Sequence, residues 1–417
     1  MNMNLFKRER TGCPRQSDAV AHAQGQLSPA EAMAFERHAA ACPVCREEER
    51  TTGLLLGRLK AWPDREPVRD LVGSVMETLR ASDMTVKRTW WREVCAAAAL
   101  LALVAGYGAW GRVDPRRAAI TQASQWLVTA QRADGGWAAA GKSNEPYEPA
   151  LTGLGLLAGL DLPKGAAVAQ ACEKAAGSLV RNQNEDGRFG SAFSGMPYNQ
   201  GIATLALLRW SVVHPGEPWR AAAERAVRHI VKSQGGSGGW GYAEGDPAPN
   251  VSITIWQLQA LQKAAELGLA EAAPALGRGL RWLRTNRNGE GRYGYRRPDD
   301  YPAGPGALTA MSVFCELACD GQAVRRPDMV QSVREVLREA ASGNSAHSSY
   351  AAFFITRVLQ QAGGERTEAL LGQVQQTLLT RQVRAGSDRG SWDLRDTYSE
   401  VGGKVYTTTM AVLALKD

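Results

Sequence analysis

The chain has 417 residues, 44% of them hydrophobic, which suffices for about two or three ordinary cores and rules out disorder by composition. Its formal charge of +7 is dispersed, with 15 Lys/Arg and 13 Asp/Glu up to Glu93 and 34 and 29 beyond it, so no direct nucleic-acid partner is expected. The seven cysteines are too few and scattered for a disulfide scaffold, whereas Gly (44) and Trp (12) are in surplus.

The first informative element lies in LSPAEAMAFERHAAACPVCREEE. Ser28, Pro29 at the first helical position and Glu31 three residues after the cap form a capping box that starts a helix. That helix carries Ala32, Phe35 and Ala39 on one face and delivers His38 to its last turn. His38, Cys42 and Cys45 read H-x3-C-x2-C. An imidazole one turn before a tight C-P-x-C turn can place three ligands around one tetrahedral ion, and Cys13, 25 residues upstream, supplies a fourth. His22 is a rival fourth ligand, disfavoured by its place in the middle of an earlier predicted helix. With four protein ligands the ion would be structural, leaving no position open for water.

This spacing resembles the zinc-associated anti-sigma domain of bacterial membrane anti-sigma factors. The matching residues are Cys13, the GQLSPAE segment from Gly25 to Glu31, and His38, Cys42 and Cys45, within a domain assigned to residues 1–85. The resemblance implies a structural Zn2+ and, as partner, a sigma factor held on the cytoplasmic side of a membrane. Amphipathic helices are predicted over 46–61 and 67–81, separated by Pro63 and Pro67; they suit either wrapping a partner or packing on the zinc-bound helices.

Residues 86–93 read as a juxtamembrane segment, and 94–111 (VCAAAALLALVAGYGAWG) form the only long run that is uncharged and apolar throughout. As a helix it would rise about 27 Å against a hydrocarbon core of ~30 Å. Trp90, Trp91 and Trp110 stand where interfacial aromatics belong, with Lys87, Arg88, Arg92 and Arg112 as anchors. The expectation is one transmembrane helix in a single-pass protein of the cell inner membrane; a buried core helix is the alternative. Thiolate ligands need a reducing compartment, which puts the N-terminus in the cytoplasm and the C-terminal domain outside it.

From 118 to 417 glycine-rich turns recur: QRADGGW ending at Trp137, QNEDGRF at Phe189, QGGSGGW at Trp240, NRNGEGRY at Tyr293 and GSDRGSW at Trp392. The spacings of 52, 51, 53 and 99 residues give six units, one of them degenerate around Ser342 to Ser349. Each unit holds a helix with one charged face, predicted over 118–131, 167–183, 219–234, 270–287, 329–340 and 367–382. A more uniformly apolar stretch such as SITIWQLQALQ or YTTTMAVLAL follows each. The first kind forms an outer ring and the second an inner one, making an all-α chain that ends in an α6/α6 toroid. The turns at Gln131, Gln183 and Gln234 resemble the repeats of squalene cyclases and protein prenyltransferase β-subunits. They read as clips, the glutamine capping the neighbouring helix and the aromatic ring stacking on the adjacent unit.

The resemblance is weaker for activity. A squalene-type cyclase needs a D-x-D-D cluster to protonate its substrate, and the nearest acidic pair, Asp299 and Asp300, sits in a turn between Pro298 and Pro302. A prenyltransferase needs an Asp-x-Cys pair and a distant His, but Pro302 stands where that Cys belongs and His347 lies in a polar loop. Cys315 and Cys319 share one helix face with no His beside them. No catalytic residue is assigned. Tyr147, Tyr198, Trp256, Tyr350 and Tyr406 gather near the starts of the inner helices, a polar and aromatic lining that suits a ligand mouth; caps of those helices are the alternative. The whole reads as a membrane-bound anti-sigma-factor-like regulator whose toroid senses or docks an unknown small molecule or protein. The alternatives are a membrane-tethered terpene cyclase- or prenyltransferase-like enzyme and a non-catalytic adaptor.

Overall fold

The computed structural model describes residues 13, 18–19, 22, 27, 29–46 and 49–50, and 114–416 apart from 140–145, 161, 163–164, 191–195, 303–304, 321–322, 344–347, 394–395 and 397. The chain divides into two compact units, 1–102 and 103–417.

In the first unit α1 (Pro29–Ala41) begins where the capping box predicts and carries His38 in its last turn. Phe35 and Ala39 on its inner face pack with Ala19 and Cys45, and Leu27, Cys13 and Cys42 border this small cluster.

The second unit is the α/α toroid. Its outer helices are α2 (Pro115–Ala130), α4 (Ala166–Arg181), α6 (Trp219–Lys232), α8 (Ala272–Thr285), α10 (Pro327–Ser342) and α12 (Glu365–Arg381). Its inner helices are α3 (Glu148–Leu160), α5 (Met196–Val213), α7 (Val251–Glu266), α9 (Pro305–Cys319), α11 (Ser349–Ala362) and α13 (Ser399–Leu415). The inner helices pack in chain order, α3 on α5 through to α11 on α13, and α13 returns to α3, so the ring closes. An amphipathic helix can cover one neighbour only, whereas α7 is buried along most of its length because it is surrounded.

The turns lock this ring. Each repeat glutamine donates its side-chain amide to a carbonyl of its own turn and to one in the next outer helix: Gln131 to Gly135 and Ala171, Gln183 to Gly187 and Ala222, Gln234 to Gly238 and Ala275. Gln382 closes the circle, reaching Gly390 O at 2.9 Å and, 263 residues back in the chain, Ala119 O at 2.8 Å. The backbone N–H groups of Trp137, Trp240, Tyr293 and Trp392 donate to Thr152, Thr254, Thr309 and Thr408 on the inner helices. The clips are as expected, with two refinements. The glutamine bonds helix carbonyls instead of capping N–H groups, and the Trp137, Trp240 and Trp392 indoles donate back to their own outer helices at Leu127, Ile230 and Leu378. In the fourth unit Arg287 replaces the glutamine and pairs with Asp328 at 2.7 Å.

One expectation is corrected. Among the described residues no helix is long and apolar enough to cross a membrane. The run 94–111 lies outside the described residues, as do segment 86–93 and the helices predicted over 46–61 and 67–81. The longest described helix, α5 with 18 residues, buries Asn199, Gln200 and Thr204 inside the toroid, where partners satisfy them; lipid would not. The fold that stands is all-α with an α/α toroid, and both the transmembrane helix and the single-pass inner-membrane placement are set aside.

Candidate functional site

The first candidate is the N-terminal Cys/His cluster. Past α1 the helical hydrogen bonding continues, Cys42 N–H to His38 O at 3.0 Å and Arg46 N–H to Cys42 O at 3.2 Å, which turns Cys42 and Cys45 back toward the imidazole. His38 Nε2 lies 3.2 Å from Cys13 Sγ and 3.4 Å from Cys45 Sγ. The donor atoms of Cys13, His38, Cys42 and Cys45 all fall within 4.8 Å of one another. The edge of a zinc–thiolate tetrahedron is roughly 3.8 Å, from a Zn–S bond of ~2.3 Å, so a modest contraction makes this set a site. Burial pushes the Cys45 thiol up to about 12, while the Cys45 N–H directed at Cys42 pulls that thiol down. A cation among the four would favour ionisation of all three thiols. His22 is placed elsewhere: its Nδ1 is 2.7 Å from Glu49 Oε1, and its ring packs on Phe35 with centroids 5.1 Å apart.

The second candidate lies in the toroid. Tyr147, Tyr198, Trp256, Tyr350 and Tyr406, far apart in sequence, line one cavity of about 140 Å³ at the N-terminal ends of the inner helices. Tyr198 Oη is 2.8 Å from Ser252 Oγ, and Trp256 Nε1 donates to Tyr350 Oη at 3.2 Å. Burial raises the phenols of Tyr198, Tyr350 and Tyr406 well above their ordinary value, so they remain neutral hydroxyls. Sequence reasoning missed Tyr242 and Tyr398, which share this lining. For Tyr398 a signal existed: it stands one residue before α13, as Tyr147 stands one before α3. Asp396 was missed too. Its carboxylate accepts from Ser348 Oγ, Ser349 N and Ser349 Oγ on one side and from Tyr398 N and Ser399 N on the other, tying the starts of α11 and α13 together.

A larger cavity of about 940 Å³ opens at the other end, against the C-terminal halves of the inner helices. Trp256 lines both and separates them, braced by Phe353 and Phe354 at centroid distances of 6.4 and 5.8 Å. Trp256→Ala is expected to join the cavities and lower stability by about 3–5 kcal/mol, the usual result of emptying a buried indole site; urea unfolding checks it.

The remaining acidic and thiol candidates are structural. Asp299 accepts from Asn288 and Tyr301 and Asp300 from the Arg296 N–H, all within one loop. Cys315 donates to Ile255 O at 3.5 Å. Cys315 and Cys319 join no metal-binding group among the described residues. Glu316 beside them is buried and held by Arg284, Arg326 and the Tyr293 hydroxyl.

Residues 20–46 match the family described as "Putative zinc-finger". The chain is 32% identical over 201 residues to a drimenyl diphosphate synthase from Streptomyces showdoensis, a stretch covering 47% of this chain and 35% of that enzyme. The match thus spans about a third of the synthase. Among solved structures, the type II terpene cyclase MstE from Scytonema, in complex with merosterolic acid A, superposes with a TM-score of 0.53 at 19% identity, covering 73% of this chain and 97% of that one. An α-1,6-mannanase from Salegentibacter sp. HEL1_6 superposes with a TM-score of 0.54 at 11% identity, covering 72% and 98%. These two likenesses show the fold alone. The chain thus joins a zinc-finger-type segment to a toroid resembling those of terpene cyclases.

Proposed function

We propose that this chain is a regulator of the anti-sigma type: its N-terminal unit, organised by a structural Zn2+ on Cys13, His38, Cys42 and Cys45, binds a sigma factor, and its toroid is the ligand-sensing or docking domain. The observation that supports this best is the convergence of four soft donors in a segment of zinc-finger type. When bound, zinc would cross-link the chain at Cys13 to the end of α1 and the following turn. With few apolar residues packed beside it among the described residues, the unit would draw much of its folding free energy from the metal. In the toroid, the neutral tyrosine hydroxyls and the Trp256 ring give the smaller cavity the mixed polar and aromatic lining of a small-ligand site. Capture of sigma factors by the full-length, zinc-loaded chain tests this: a one-to-one complex is expected, and failure with every candidate sigma factor refutes it.

The match to drimenyl diphosphate synthase favours a second reading, a terpene cyclase-like enzyme working in the aromatic cavity. Aromatic faces stabilise cations, and Asp396 is the carboxylate beside Tyr398 and Ser349. Incubation with linear polyprenyl diphosphates, followed by mass spectrometry, separates the two. A cyclised product lost in Asp396→Asn would establish the enzyme, and its absence favours the regulator.

A further inference from the structure

The fold gathers on one outer face a charge that the sequence spreads. Outer helices α6 and α8 pack as neighbours in the ring. The first carries four Lys/Arg and one Glu, the second three Arg and no acidic residue, so the pair holds a net +6 in a chain whose formal total is +7. Further round the ring, α10 sets two Arg against three acidic residues and α12 two against two. Two cations of the basic pair have acids of their own, Arg220 with Glu224 at 2.9 Å and Arg284 with Glu316 at 2.8 Å. The other five do not: among the described residues Arg225, Arg228, Lys232, Arg278 and Arg281 form no ion pair, and all but the half-buried Arg225 are exposed. Neutral partners orient two of them. Arg225 donates to Gln183 Oε1 at 2.8 Å and Arg278 to Gln234 Oε1 at 2.9 Å, equivalent contacts in successive units that each engage the clip glutamine of the unit before. These guanidiniums are held without being neutralised. Arg225 to Lys232 spans about 10 Å of helix, and neighbouring helix axes lie about 8–10 Å apart, so the five charges share one compact face.

We propose that the outer face of α6 and α8 docks an acidic polypeptide segment, a run of Asp and Glu on a partner protein. Guanidinium forks pair with carboxylates two bonds at a time, and four of the five unpaired cations are arginines. The shape of the face favours a polypeptide over a nucleic acid. The two helices present their sides, with neither standing clear to enter a groove, and their aromatic residues Trp219 and Trp282 are half-buried and buried, which leaves no platform for stacked bases. The surface lies on the outside of the toroid and uses neither cavity. It rests on the reading of the toroid as a docking domain and supplies that role with a place and a partner chemistry.

Fluorescence anisotropy of a labelled poly-L-glutamate peptide, titrated with the full-length, zinc-loaded chain, tests this. Binding is expected at low ionic strength and should weaken as salt rises. An exposed ion pair changes affinity by up to about fivefold, and charge reversal adds repulsion, so Arg228→Glu/Lys232→Glu/Arg281→Glu should weaken binding by about tenfold or more. The three side chains are exposed, so the variant should keep the parental Tm. Arg366→Glu, at an exposed position of α12, makes a single reversal away from the face and should leave affinity within about twofold of the parent. Parental affinity in the folded triple variant overturns the proposal, as does an equal loss in Arg366→Glu. Tighter binding of a duplex DNA of similar total charge at the same salt overturns it too, by assigning the face to nucleic acid. The peptide is read without a sigma factor, so a chain that captures sigma but ignores polyglutamate contradicts this proposal alone.

Discussion

Cys45→Ser is expected to remove zinc and fold from the N-terminal unit together. Cys45 is fully buried beside Phe35 and Ala19, and its sulfur is one of the four clustered donors, so serine leaves an incomplete site around a hydroxyl that does not ionise to replace a thiolate. Structural zinc contributes on the order of 10 kcal/mol in zinc-finger peptides, far more than the apolar cluster among the described residues can replace. The zinc content of the full chain should fall from about one per molecule to nearly none, with loss of amide protection in α1 while the toroid keeps its own. Cys172→Ser is the matched control. That thiol is buried in the toroid, where desolvation lifts it to about 11, and it lies outside the cluster, so zinc should stay. A Cys45→Ser chain that keeps one zinc contradicts the assignment.

The second large effect concerns ring closure. Gly390 adopts φ +94°, and a Cβ there would stand 2.4 Å from Gln122 O of α2, at the turn where Gln382 joins the last unit to the first. Gly390→Ala combines left-handed backbone strain of ~1–2 kcal/mol with an overlap costing ~1–3 kcal/mol. A loss of about 2–5 kcal/mol follows, visible as a fall in Tm of roughly 3–8 °C. Gly386 separates the two contributions: its φ is +77° but a Cβ would meet nothing within 4 Å, so Gly386→Ala should show the strain alone. Equal effects of the two substitutions would mean that the Gly390 turn is not packed on α2.

Most of the toroid was legible because its signals are local and repeated. The predicted outer helix at 219–234 differs from α6 by two residues at one end, and the glutamine–glycine–aromatic turns lie where the period puts them. The four clustered donors were equally legible, since H-x3-C-x2-C follows from one helix and one turn, and the position of Cys13 was readable from its distance upstream. What escaped was long-range. Nothing near Gln382 announces that its amide reaches Ala119. The larger cavity takes its lining from positions as far apart as 116, 209, 357 and 413, which form no pattern in one dimension. Tyr398 was missed because RDTYSE looks like an ordinary turn, although its position before α13 repeats that of Tyr147 before α3. The apolar run 94–111 lies outside the described residues; its hydropathy is a strong local signal, but hydropathy alone does not distinguish a membrane span from a buried helix.

The proposed control of a sigma factor by the zinc-organised unit is tested by transcription directed by a captured sigma factor in a purified system. Stoichiometric addition of the full-length, zinc-loaded chain is predicted to suppress transcription by the matching holoenzyme, with Cys45→Ser restoring it. Undiminished transcription with the zinc-loaded chain bound to that sigma factor would contradict the account.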